Sequence, residues 1–284
     1  MTNALKTTFL LAVLTALLVL IGGAFGGRSG MLIAFAFAAL MNFGAYWFSD
    51  RMVLAQYRAR ELQPGELPRL DRIIDGLCGR AGLPRPRLFL IPEDQPNAFA
   101  TGRNPTHAAV AVTEGILQLM TDEELEGVIA HELSHVRHRD ILIGTVAATL
   151  AGAITMLASM ARWGAMFGGF GGDRDREGGG GVLGLLVTAI FAPIAALLVQ
   201  MAVSRSREYE ADAGAAKMTG NPYGLARALK RLGEFTHRIP MDASPATAHM
   251  FIVSPLSGQS FATLFSTHPP LEERIKRLVG GAAL

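Results

Sequence analysis

The stretch Thr121-Asp122-Glu123-Glu124-Leu125-Glu126-Gly127-Val128-Ile129-Ala130-His131-Glu132-Leu133-Ser134-His135-Val136-Arg137-His138-Arg139-Asp140 sets the reading of the whole chain. Thr121 with Glu124 three residues on is a capping box, and Asp122 and Glu123 suit the positive N-terminal end of a helix. Leu125, Val128 and Ile129 supply an apolar face at helical spacing. On such a helix His131 and His135 leave the same side, so both imidazoles can grip one ion. Glu132 sits beside them, able to reach a water on that ion without coordinating it. The helix is expected to run through Asp140 into the apolar sequence that follows.

Two histidines leave zinc short of the three protein ligands that a hydrolytic site uses. Arg207-Glu208-Tyr209-Glu210-Ala211-Asp212 offers the third. Glu208 and Asp212, four apart, share a helix face, an arrangement that suits a ligand paired with a carboxylate that orients a ligand histidine. Glu210 is rotated by about 200° from Glu208 and should point away. A solvated charged helix would carry the same acids, and the neighbouring histidine pair is what favours the ligand reading.

Between and before these motifs lie four blocks free of Asp, Glu, Lys, Arg and His: Thr7–Phe25, Gly30–Phe48, Ile141–Ala161 and Val182–Val203. Each has 19 to 22 residues, enough to cross ~30 Å of hydrocarbon as a helix. Trp47 and Trp163 stand at block ends, where an amphipathic ring prefers the interface. The first block reads as one arm of a hairpin, because it lacks a small-residue cleavage site and the next follows after only Gly26–Ser29. The second pair also fits a helical hairpin buried in a globular domain, and Pro193 and Gln200 lie inside it; membrane insertion is the favoured reading. His131 and Glu208 fall on opposite sides of that pair, so they can meet only if the chain crosses an even number of times. Two blocks satisfy this.

With half its residues hydrophobic and a mean hydropathy of +0.31, the chain is too apolar for a purely soluble protein. A net charge of +2 is too small to imply a nucleic-acid partner and no basic stripe with interleaved aromatics appears, so no such partner is expected. The single cysteine, Cys78, excludes an internal disulfide framework. The four blocks carry no ionisable group at mid-depth, which argues against a transporter or channel. Asp50–Leu62 and Glu66–Gly82 read as helices, and Arg87–Ile91, Ala98–Thr101 and Ala108–Thr113 as strands of a small sheet. A Gly-rich stretch within 164–181 reads as a loop, residues beyond Val203 as helical to about Gly233, and Pro270 to Val279 as a final short helix. Basic residues near the blocks divide unevenly. Lys6, Arg51, Arg58, Arg60, Arg137, Arg139, Arg205 and Arg207 fall on one side; Arg28, Arg162, Arg174 and Arg176 fall on the other. The positive-inside rule puts both termini and the catalytic segments in the cytosol.

His131–His135, the segment Ser204-Arg205-Ser206-Arg207-Glu208-Tyr209-Glu210-Ala211-Asp212 and Ser266-Thr267-His268-Pro269-Pro270-Leu271 together resemble the HtpX-type membrane metalloproteases. These are bacterial relatives of the CAAX prenyl endopeptidases, and the resemblance covers nearly the whole chain. It implies a mainly α membrane protein: four transmembrane helices plus a cytosolic zincin-like metallopeptidase domain with a small β-sheet. The boundaries would be a hairpin at 1–49, catalytic parts at 50–140 and 204–284, and a second hairpin at 141–203. It implies one Zn2+ per subunit on His131, His135 and Glu208, Glu132 as catalytic base and Asp212 behind the ligands. His268 is the candidate to stabilise the oxyanion, and Arg274 fits the same C-terminal motif near the substrate. Asn97, Ala98 and Phe99 resemble an edge strand that pairs with extended substrate, although Pro96 followed by a strand would read the same without the family. The resemblance further implies a multi-pass protein of the plasma (inner) membrane that clears unfolded or damaged membrane proteins, with other quality-control factors as possible partners. A specific prenyl-protein processing enzyme is the rival within the class. A non-catalytic zinc-stabilised scaffold is the rival outside it, and Glu132 weighs against that.

Overall fold

The structure is a computed structural model that describes residues 3–151, 205–236, 252 and 269–280. Most of the third apolar block, all of the fourth, the Gly-rich stretch, His237, His249 and His268 lie outside the described residues. The order along the chain is α1 (Asn3–Gln56), β1 (Arg60–Glu61), α2 (Pro68–Ala81), β2 (Arg87–Ile91), β3 (Ala98–Gly102), β4 (Ala108–Thr113), α3 (Glu114–Leu119) and α4 (Asp122–His138). It continues with α5 (Ile141–Ala151), α6 (Arg205–Thr219), α7 (Pro222–Thr236) and α8 (Leu271–Val279).

α1 is a hairpin of two helical arms. They meet at Gly27, whose φ of 55° and ψ of −142° belong to a region that a residue with Cβ avoids. Asn42 on the second arm donates to Thr15 Oγ1 on the first at 2.8 Å, a polar latch between otherwise apolar arms. Gly26–Gln56 is the one helix among the described residues long and apolar enough to cross a bilayer. It turns Phe35, Leu40 and Phe43 outward. α5 packs on the hairpin through Ile143, Val146, Ala147 and Leu150 against Leu14 and Ala45.

The sheet has the order β1-β2-β4-β3, with β2 and β4 parallel and the outer pairs antiparallel. Its side chains alternate between two cores, as the pleat requires. Phe89, Ile91, Phe99, Ala109 and Ala111 meet the end of α1 (Val53, Leu54, Tyr57) and Ala148 of α5. Leu88, Ala98, Ala100, Val110 and Val112 face α2 and α4. α4 lies between the sheet and α6 and α7, which explains why Leu125, Val128, Ile129 and Leu133 have no exposed surface. Each contributes ~1.5–3 kcal/mol of apolar burial. Gly214 on α6 permits this closeness: a Cβ there would stand 2.1 Å from Ser134 Oγ.

Two sequence expectations are corrected. α4 does not continue through Asp140; it stops at His138, with Arg139 left-handed (φ 58°) and its N–H returned to His135 and Val136 carbonyls. The helix expected over Asp50–Leu62 is instead the tail of α1, ending at Gln56 before the two-residue β1. The helical stretch expected beyond Val203 is present as two helices, Gly220 (φ 70°) closing α6 and Pro222 opening α7.

Candidate metal centre

The capping box expected at Thr121 is present in full: Glu124 N–H donates to Thr121 Oγ1, and Thr121 N–H to Glu124 Oε2. The helix so started places His131 and His135 on one side with their Nε2 atoms 3.2 Å apart. α6 brings Glu208 opposite, its carboxylate oxygens 3.7 Å from His131 Nε2 and 3.5 Å from His135 Nε2. One donor atom from each of the three lies within 4.8 Å of the others. Among the described residues this is the only such group. Asp212, one turn beyond Glu208 and equally buried, stands 2.9 Å from His131 Nδ1. Glu210 between them is exposed, on the opposite side of α6.

Each ligand histidine has its outer nitrogen held by a carboxylate. For His131 that acid is Asp212; for His135 it is Asp140, with Nδ1 to Oδ2 at 3.2 Å. Asp140 was missed from sequence, because a helix running on would have carried it away from His135. The left-handed turn at Arg139 brings it back, and Asp140 N–H donates to the His135 carbonyl. The signal available was positional: an acid directly after a basic helix end and directly before an apolar block.

Arg274, grouped from sequence with substrate contacts, has no exposed surface. Its Nε and Nη2 donate to the two Asp212 oxygens at 2.9 and 2.7 Å, and Nη1 donates to the Ile252 carbonyl at 3.1 Å. Nη2 also lies 3.4–3.5 Å from both His131 ring nitrogens, which places the guanidinium against the ring rather than in a directed bond. Asn97, Ala98 and Phe99 are at the sheet edge as expected, yet buried. Asn97 Oδ1 accepts from Ala98 and Ile252 N–H, so this side chain ties the β3 start to the C-terminal part. The strand's link to the site is Ala100, whose N–H donates to Glu132 Oε2 at 2.8 Å.

The electrostatics test whether a cation belongs here. Four buried carboxylates, Glu132, Asp140, Glu208 and Asp212, face two buried guanidiniums, Arg207 and Arg274. The formal deficit is two negative charges, which one divalent ion closes. The side chains respond to that deficit. Burial resists charge on His135, but Asp140, Glu208 and Glu132 raise it to about 9. Burial pushes the Glu132 carboxyl up to about 7. Burial also opposes ionisation of Asp212, but hydrogen bonds from Arg274 and His131 outweigh it and hold it at about 2. Two imidazoles and one carboxylate in a largely buried pocket also match the donor set of hydrolytic zinc sites. The residues present fit a divalent metal.

Comparison with known proteins gives the same reading. The chain is 60% identical over 280 residues to "Protease HtpX homolog" of Desulfatibacillum aliphaticivorans, covering 99% of this chain and 90% of that one. To the protein of the same description from Syntrophobacter fumaroxidans it is 59% identical, covering 98% and 99%. Among solved structures, that of S. mikatae Ste24p aligns with a TM-score of 0.51 at 21% identity. It covers 97% of this chain, which spans 64% of that protein's length, and the likeness is one of fold. The model of peptidase family M48 matches residues 64–281, which include α4, α6 and α8 and so every element of the metal centre. A membrane-associated metalloprotease is what these findings describe, and the chain belongs to peptidase family M48.

Proposed function

We propose that this protein is a zinc endopeptidase of the plasma membrane that cleaves unfolded or damaged membrane proteins on the cytosolic side. The observation that carries the reading is the convergence of His131, His135 and Glu208 beside Glu132 on a buried helix that leads within three residues into an apolar one. Zinc on those three ligands would supply Lewis acidity toward a peptide carbonyl and a water. Glu132 then supplies the proton transfers: it takes a proton from the water and returns it to the leaving amine, a role typically worth 10²–10⁴-fold. Ala100 N–H fixes Oε2, which leaves Oε1 to carry the proton. Burial raises the Glu132 carboxyl, and the bond from Ala100 N–H favours its ionised form. Asp212 and Asp140 hold the histidine tautomers, each accepting from Nδ1 so that Nε2 is free for the ion.

Four spans, with both termini and the catalytic parts in the cytosol, complete the proposal. They are supported by the hairpin of α1, by α5 packed on it and by the basic residues clustered on one side. His268 remains the proposed oxyanion donor from its motif alone.

The decisive experiment compares Glu132→Gln with wild type, purified in detergent with zinc. Glutamine keeps the size and a hydrogen bond to water but cannot accept a proton. The variant should hold stoichiometric zinc and lose nearly all cleavage of an unfolded protein, whereas His131→Ala should lose the zinc. Cleavage by Glu132→Gln at the wild-type rate would sink the mechanism.

A further inference from the structure

Asn97 takes no part in the chemistry described above, and at 2% exposure it has no open face for a substrate. A buried amide must bond within the protein or cost free energy, so its partners show what it holds. Its backbone is locked to the end of β4: Asn97 N–H donates to Thr113 Oγ1 at 2.8 Å, and Thr113 N–H to the Asn97 carbonyl at 3.0 Å. The side chain, so anchored, turns Oδ1 toward two donors, Ala98 N–H at 3.0 Å and Ile252 N–H at 3.2 Å. Only an acceptor oxygen serves there.

From Ile252 the bonds continue to the metal centre. The Ile252 carbonyl accepts from Arg274 Nη1 at 3.1 Å. Arg274 grips the two Asp212 oxygens at 2.9 and 2.7 Å, and Asp212 stands 2.9 Å from His131 Nδ1. Along β3 in the other direction, Ala100 N–H holds Glu132 Oε2 at 2.8 Å. His131 and Glu132 are neighbours on α4, so the contacts close into a ring: Glu132, Ala100, the strand back to Asn97, Ile252, Arg274, Asp212 and His131. Every member is buried. Asn97 Oδ1 is the point at which the strand that holds the base is joined to the chain that holds the ligand.

From this we infer that Asn97 is a positioning residue for hydrolysis: by holding Ile252 it sets Arg274, and through Asp212 the His131 ring, relative to Glu132. Without its oxygen, the Ile252 N–H is stranded and the Ile252 carbonyl shifts. Arg274 follows, and the ligand and the base are no longer held from one strand. A displacement of ~1 Å at a reacting group can cost ~100-fold in rate. The inference rests on the protease reading for its effect on rate and on His131 as a ligand for its effect on zinc.

The test uses the full chain in detergent, with zinc affinity measured by competition titration and cleavage of an unfolded protein measured at saturating zinc. Asn97→Ala should weaken zinc about tenfold, the lower end of the range for groups behind a ligand. It should also lower kcat about tenfold or more, with KM within about threefold of wild type. Asn97→Asp keeps the size and the acceptor oxygen, and should stay within about threefold of wild type in both. Asn97→Ala combined with Arg274→Ala should bind zinc no more weakly than Arg274→Ala alone, because both cut the same chain of bonds. Ile74→Ala opens the core at α2, breaks no bond of the ring, and should keep zinc affinity and kcat. If Asn97→Ala does not fold, Asn97→Ser, whose hydroxyl is too short to meet both N–H groups, replaces it in each comparison. Unchanged zinc affinity in Asn97→Ala, an effect on KM alone, an aspartate as damaging as alanine, additive losses in the double variant, or an equal loss in Ile74→Ala would each overturn the positioning role. Wild-type protein that binds zinc but cleaves nothing would overturn the protease reading instead, and the zinc titrations would still decide whether Asn97 sets the ligand.

Discussion

Replacing Arg274 with alanine removes the cation from a pair whose anion, Asp212, orients a metal ligand. Two estimates of the cost follow from the structure. Breaking a buried pair by deleting one partner costs about 3–5 kcal/mol, because the other charge is stranded. The fall of Asp212 from its ordinary 3.8 to about 2 corresponds to about 2 kcal/mol. The second figure counts only what the proton feels. The first includes the lost packing of a side chain with no exposed surface, and is the better guide. The sign is that of a depressed carboxylate: the contribution is complete above pH ~3.8 and fades as pH falls toward 2. At pH 7, Arg274→Ala should therefore lower the melting midpoint of the catalytic part by roughly 6–20 °C, at 2–4 °C per kcal/mol. Zinc affinity should fall about 10–100-fold, since His131 loses a well-placed partner. The assays are thermal unfolding in detergent and zinc competition titration on the same samples. Replacing both partners, Arg274→Met with Asp212→Leu, should restore most of the stability but none of the zinc affinity. A contact to substrate behaves differently: it would raise KM and leave melting and zinc unchanged. That pattern in Arg274→Ala would refute the buried-pair reasoning.

The other predictions concern the ligands and the topology. Glu208→Ala should abolish stoichiometric zinc while Glu210→Ala keeps it, because only the first faces the histidines; metal analysis on the pair decides. Asp140→Asn should weaken zinc about 10–100-fold without the stability loss expected of Arg274→Ala, since Asp140 lies at the edge of the core; competition titration and melting check it. A reporter that matures only outside the cytosol should be active when fused at Gly27 or Gly179 and silent at Leu284, and the opposite pattern would invert the assigned orientation.

The parts of this fold that could be read from sequence are those set by local chemistry. Thr121 with Glu124, the alternating strands and the Gly82 cap each depend on residues a few positions apart, and the structure has them all. Glu208 was accessible for a related reason: a two-histidine helix lacks a ligand, and acids at helical spacing are a short list. What was not readable depends on backbone reversal or on distant partners. The break at Arg139 has no proline or glycine to announce it; an arginine takes the left-handed conformation because two carbonyls receive its N–H. The burial of Asn97 and Arg274 is set by Ile252, which bonds both, and nothing in the spacing of 97, 252 and 274 shows that they meet. Arg207, which counts from sequence among the basic residues beside the fourth block, is buried within the field of Asp140, Glu208 and Glu210, where desolvation lowers its pKa against their pull.

The turn at Arg139-Asp140 joins the histidine-bearing helix α4 to the apolar helix α5. If α4 ran straight into α5, the helix bearing His131 and His135 would share its axis with that apolar helix, and any tilt of α5 would swing both histidines. The turn separates the two axes within three residues. It also uses that interval to place Asp140 against His135 and to start α5, whose Thr145 holds β3. β3 in turn fixes Glu132 through Ala100. His135 and Glu132 are thus positioned from opposite sides by one short stretch of chain. Lengthening it by a single residue would leave the motif intact in sequence, yet displace Asp140 from His135 and Thr145 from Thr101 together. The loss of activity from such an insertion would come without loss of any ligand, which separates the role of this turn from that of the residues it connects.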